Sequence, residues 1–133
     1  MSKIEAFFKE NNTRPETVEY IASTRFTGAD GKPIPWKLRR VPTHQIEEIK
    51  NRTNFYADSD KIMGRFAIEA TIASVVFPDL RDQDLQNSYG VKKAEELLYE
   101  LLNSAELDFL KVKVMEVNGY GEDINALAGE AKN

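Results

Sequence analysis

The residues most able to do chemistry in this chain are one histidine and several clusters of acids. His44 is the only histidine, and Glu47 and Glu48 follow it at the spacing of one helical turn. Histidine and glutamate so placed can share a metal ion. Two or three neighbouring ligands without a distant partner rarely close a coordination shell, and acids near a helix start are explained by the helix dipole. Asp79, Asp82 and Asp84 bunch behind Pro78 in the manner of a calcium loop or a small divalent-metal site. The glycine and terminal glutamate of an EF-hand are missing, and aspartates capping a turn account for the cluster without an ion. Glu95, Glu96, Glu100 and Glu106 offer carboxylates, but they alternate with apolar residues as solvent-facing helix charges do. Serine and threonine nucleophiles have only His44 as a base and no elbow motif around them. The glycines match neither a phosphate loop nor a dinucleotide fingerprint. No catalytic residue, cofactor site or metal site is expected.

Composition sets the frame around those residues. The chain has 133 residues, a formal net charge of -4, and no cysteine, which removes disulfides, thiol nucleophiles and Cys-ligated zinc together. The basic cluster Lys37, Arg39 and Arg40 is too small for the electrostatic footprint of a nucleic-acid binder. The longest apolar-rich run, Phe66 to Phe77, is interrupted by Glu69 and too short to span a bilayer. No nucleic acid and no membrane are therefore expected as partners, and the expected location is the cytoplasm.

The elements follow from periodicity. Ile4, Phe7 and Phe8 lie on one side of a short opening helix capped by Ser2. Val18, Tyr20, Ala22, Thr24 and Phe26 then alternate, as do Ile34, Trp36 and Leu38, around an Asp30-Gly31 reversal, which predicts a β-hairpin with Trp36 on its buried face. Pro33 and Pro35 cannot donate ladder bonds, so the second strand should begin unpaired or at an edge. Thr43 is expected to cap a helix running to about Arg52, with Ile46 and Ile49 as a narrow apolar pair. Ser59 or Asp60 should cap a longer core helix. Its stripe runs Ile62, Phe66, Ala70, Ala73 and Phe77, widened by Met63, Ile72, Val75 and Val76, and Pro78 ends it. Asp82 or Asp84 caps a short turn closed by Gly90, and two leucine-rich helices follow, striped by Val91, Ala94, Leu98, Leu101 and by Leu107, Leu110, Val114, Val117.

Taken in order, several segments resemble the XkdN-like phage tail assembly chaperones. Ser23-Thr24-Arg25-Phe26 leads to Asp30-Gly31-Lys32-Pro33-Ile34-Pro35-Trp36, and then to the Thr43 helix. Val75-Val76-Phe77-Pro78-Asp79-Leu80, Asp84 to Val91, Leu97-Leu98, Glu106 to Leu110 and Val117-Asn118-Gly119-Tyr120 complete the pattern. The order and spacing of these segments, rather than any one motif, carry the resemblance. It implies a non-enzymatic protein that coats a tape-measure protein and helps recruit tail-tube subunits. A homo-oligomer is left open.

The expected fold class is α+β, an N-terminal β-hairpin (about 17–41) packed on a mainly α-helical domain (about 43–119). Residues 1–120 are expected to form a single unit followed by a flexible tail, 121–133, in which a short helix around Ile124 to Leu127 is expected. A tape-measure helix needs an apolar groove, and Leu97, Leu102, Phe109 and Met115 are surplus to the main stripes. They are the candidate partner-binding residues. The alternatives are an adaptor or regulator unrelated to tails, and a small enzyme using a divalent metal at Asp79 to Asp84.

Overall fold

The computed structural model of this chain describes residues 2–56 and 64–121 in full, and residues 59–63 by backbone alone. The expected caps Ser59 and Asp60, the stripe residues Ile62 and Met63, and nearly all of the tail, with its short helix, lie outside the described side chains.

The hairpin forms, but in shorter pieces than the alternation suggests. Strand β1 (Val18–Tyr20) pairs antiparallel with β2 (Trp36–Leu38), with Tyr20 opposite Trp36 and Val18 opposite Leu38. Beyond Tyr20 the strict alternation fails, because Ala22 and Ser23 are both buried while Thr24 is exposed. Pairing resumes nearer the turn, where the Ile34 N–H donates to the Phe26 carbonyl at 2.9 Å and Thr27 bridges Pro33. Asp30 Oδ1 accepts from the Lys32 N–H at 3.0 Å, and Gly31 supplies the left-handed φ of 78° on which the reversal turns. The strand proper starts only after Pro35, as the missing proline N–H groups require.

A third strand replaces the end of the predicted core helix. Helix α1 is Thr43–Arg52 and helix α2 is Ser59–Ser74; Val75–Phe77 leaves α2 as strand β3 and pairs with β2, with Leu38 opposite Val75 and Lys37 opposite Phe77. The sheet order is β1-β2-β3, all antiparallel. Two β-branched valines and a phenylalanine suit a strand, and the local bonds favour the switch. The Arg39 N–H donates to the Ser74 carbonyl at 2.8 Å, and the Ser74 hydroxyl donates to the Arg39 carbonyl at 2.6 Å. The Phe77–Pro78 peptide is cis. At the start of α1, Pro42 rather than Thr43 occupies the cap position, and no side chain caps that end.

The remaining helices are α3 (Gln83–Ser88), α4 (Ala94–Leu101) and α5 (Ser104–Val117). Asp82 caps α3 by accepting the Leu85 N–H at 2.8 Å, and Gly90, at φ 67°, follows its end. Asn103 and Glu106 form a reciprocal capping box at the head of α5, each accepting the other's backbone N–H.

Helix α2 packs against α1, α4 and α5. The main core joins Trp36 and Leu38 of the sheet to Leu97, Leu98, Leu101, Leu107, Leu110 and Val114 of the last two helices. A smaller core sits under α1, where Ile46 and Ile49 close on Phe66 and Ala70. That helix therefore packs on α2. Asn118 ties the two halves together: it accepts the Val41 N–H at 2.8 Å and donates to the Ser74 hydroxyl at 3.2 Å. The opening segment forms two short 3-10 turns, Glu5–Phe7 and Lys9–Asn11, instead of an α-helix. Ser2 accepts the Glu5 N–H at 3.4 Å, but Ile4 rather than Ser2 holds the cap position and no side chain caps it, and Ile4, Phe7 and Phe8 are all exposed.

Candidate partner-binding pocket and the outer face of the last helix

The described residues hold no group of three or more His, Cys, Asp or Glu side chains close enough to share a metal ion. His44 and Glu48 are exposed, and Glu47 reaches Lys50 at 3.5 Å. Asp79 accepts the Arg81 N–H at 3.0 Å and Asp82 caps α3, so both behave as turn and cap residues. Glu95 pairs with Arg65 at 2.6 Å, and this bond holds its carboxyl below the usual range. Arg65 also meets Glu69, which meets Arg52, so one line of ion pairs runs across α1, α2 and α4. These acids are occupied with structure.

The apolar candidates divide. Leu97 is 0% exposed and Leu102 is 5% exposed, so both complete the core and neither can meet a partner. That corrects the sequence reading, which could not tell a second buried row from a spare one. Met115 is partly buried and touches both cores. Phe109 alone of the four stands out, at 67% exposed, with Val112 beside it on the outer face of α5. Val112 and Met115, with Glu116, Tyr120 and Gly121, line a shallow groove along that face.

A more enclosed apolar site lies elsewhere, at the turn end of the sheet. Trp36 lines it from β2, and Phe26 and Ile34 come from the paired arms of the hairpin. Phe77 and Pro78 form another wall at the end of β3. Leu85 and Tyr89, from α3 and its end, and Leu101 of α4 close the rest. The cavity is about 180 Å³. That is smaller than the roughly 300–1,000 Å³ of sites that take a whole small ligand, and it suits an inserted side chain. Phe77 is 46% exposed and Tyr89 and Ile34 are each 37% exposed, so the mouth is open. Side-chain polarity in the lining is confined to the Trp36 indole N–H and the Tyr89 hydroxyl. Such a surface can bind apolar groups, and its lining carries no carboxylate, imidazole or amine.

The pocket's hairpin wall is clamped to the helices by Arg25. Its guanidinium donates to Glu106 at 2.8 Å and to the Leu101 carbonyl, and it lies 5.4 Å from the centre of the Phe26 ring. The Asn103 backbone N–H, and next Arg25, hold the Glu106 carboxyl below its usual range. All the lining residues except Leu101 fall in the segments that carried the family resemblance. The sequence favours core for Phe26 and Trp36, with a partner contact as the alternative, and shows no pocket; Trp36 is both core, at 3% exposed, and pocket lining.

Comparison with known proteins bears on what such a surface is for. The family described as phage XkdN-like tail assembly chaperone protein matches residues 4–132. The chain is 31% identical over 141 residues to phage-like element PBSX protein XkdN of Bacillus subtilis strain 168, covering 96% of this chain and 93% of that protein. It is 26% identical over 141 residues to protein YqbN of the same strain, covering 96% and 92%. The crystal structure of the protein YqbN superposes with a TM-score of 0.77 at 22% identity, over 90% of this chain and 98% of that one, which shows a shared fold. Among the described residues, no helix is long and apolar enough to cross a membrane.

Proposed function

Because this chain belongs to the family of XkdN-like phage tail assembly chaperones, we propose that it works by holding apolar segments of the tape-measure protein in the host cytoplasm, without catalysing a reaction. A tape-measure protein is long and helical, and its apolar faces need cover until tail-tube subunits assemble around it. Recruiting those subunits is the second half of the proposed role. The observation that carries the reading is the open apolar pocket beside Trp36, whose lining contains no carboxylate, imidazole or amine. An amphipathic helix can insert one side chain there while its neighbours lie along the rim. Phe109 and Met115 on α5 supply a second, flatter contact.

Coexpression with the cognate tape-measure protein tests this. The two should copurify, and the complex should survive high salt, since apolar burial is not screened as ion pairs are. Loss of the complex at moderate salt would transfer recognition to the charged surface. Failure to copurify at any salt would end the chaperone reading for this pair.

A further inference from the structure

The pocket beside Trp36 is open, and the same chain carries apolar side chains that its own body does not bury. Every residue from 2 to 16 is exposed. Within that segment Phe7 is 81% exposed, Ile4 68% and Phe8 48%. The segment is not shapeless: Phe7 and Phe8 donate their N–H groups to the Ile4 and Glu5 carbonyls at 3.0 Å each, and Asn11 Nδ2 donates to the Glu5 carbonyl at 2.7 Å. These bonds hold an apolar cluster on a pre-shaped arm, which lowers the ordering cost of docking.

We propose that this arm docks on a second copy of the chain, with Phe7 in the pocket lined by Trp36, Phe77 and Tyr89, and Ile4 and Phe8 across its mouth. The exchange is reciprocal, as in a two-fold dimer. The opening of about 180 Å³ matches a side chain rather than a whole small ligand. The area is also sufficient. Each phenylalanine buries about 150–250 Å², so two such arms and the walls they cover approach the roughly 1,200–2,000 Å² of a stable interface.

The exchange uses the pocket assigned above to the tape-measure segment, so self-pairing and client binding compete. Testing it requires no client, and its outcome stands apart from that of the copurification. Sedimentation equilibrium of the full chain should show a concentration-dependent dimer. Trp36, the only tryptophan, lines the pocket, and its emission should change in intensity on association as Phe7 packs beside it. Phe7→Asp in the arm and Ile34→Asp at the pocket mouth should each weaken the dimer by about tenfold or more. Mixing the two variants should restore association, because one intact arm then meets one intact pocket. Phe7 is 81% exposed, so its variant keeps the test valid even if Ile34→Asp misfolds. A monomer at every concentration overturns the proposal. So does a dimer indifferent to Phe7→Asp, which would place the interface elsewhere, as on the outer face of α5. A monomeric full chain whose Trp36 emission changes with Phe7→Asp would mean that the arm closes on its own body, and that also overturns it.

Discussion

The pocket beside Trp36 and the outer face of α5 both present apolar side chains to solvent, yet they are built differently. Phe109 and Val112 stand on a convex helix, one turn apart, with little wall around them. Phe26, Ile34, Phe77 and Tyr89 come from separate stretches of chain and surround a concavity. A docked side chain would be contacted on several sides in the pocket and on one side on the helix, and dispersion and desolvation both grow with that enclosure. Exposure alone therefore does not rank two apolar surfaces. Curvature does.

The largest test of this contrast is Trp36→Ala, which removes a side chain shared by the core and the pocket. It should cost about 3–5 kcal/mol, as large-to-small core changes do, read as a lowered denaturant midpoint. A protein that melts like the parent would show that the sheet end is not built on Trp36. The paired variants Phe77→Ser and Phe109→Ser come next. The first should weaken binding to a tape-measure segment by about tenfold or more, and the second by about twofold or less, with Phe109→Ser changing stability by no more than about 0.5 kcal/mol. Equal losses in a titration would erase the distinction between the two surfaces.

The joint between the regions gives smaller effects. Asn103→Ala removes the cap of α5 beside the Arg25–Glu106 pair and should cost about 1 kcal/mol in chemical denaturation. Glu106 adds a pH dependence. Its folded pKa lies below its unfolded value of about 4.3, so its contribution is present above that value and fades as pH falls through the folded pKa. Glu106→Gln should flatten part of the acid limb of a stability profile; an unchanged limb would show that the clamp carries no charge linkage. The smallest expected effect is none. Exhaustive chelation should leave the melting temperature unchanged, and a drop reversed by one particular ion would return Asp79, Asp82 and Asp84 to consideration.

The helices α4 and α5 were legible from leucines at helical spacing and the glycine that follows α5, whereas the Asn103–Glu106 capping box came only from the structure. The hairpin was legible through its Asp30-Gly31 turn and its prolines. Strand β3 was not, because Val75, Val76 and Phe77 continue an apolar run whose period does not separate a helix end from a short strand. What separates them is Arg39, which bonds Ser74 from 35 residues away in sequence. The burial of Leu97 and Leu102 was hidden for a related reason. A helix stripe shows which face is apolar, but the number of neighbours covering that face is set by the other elements.

By itself, then, the sequence determined the α+β class, the Asp30-Gly31 turn, the aspartate cap of α3, the lack of cysteine chemistry and, through the order of its segments, the chaperone family. These depend on residues near one another, whose local free energies favour one conformation. The tertiary structure decided that Val75–Phe77 joins the sheet, that Leu97 and Leu102 are spent on the core, and that Phe26, Trp36, Phe77 and Tyr89 meet around one cavity. A cavity is a relation among segments brought together by packing, and no local period encodes it.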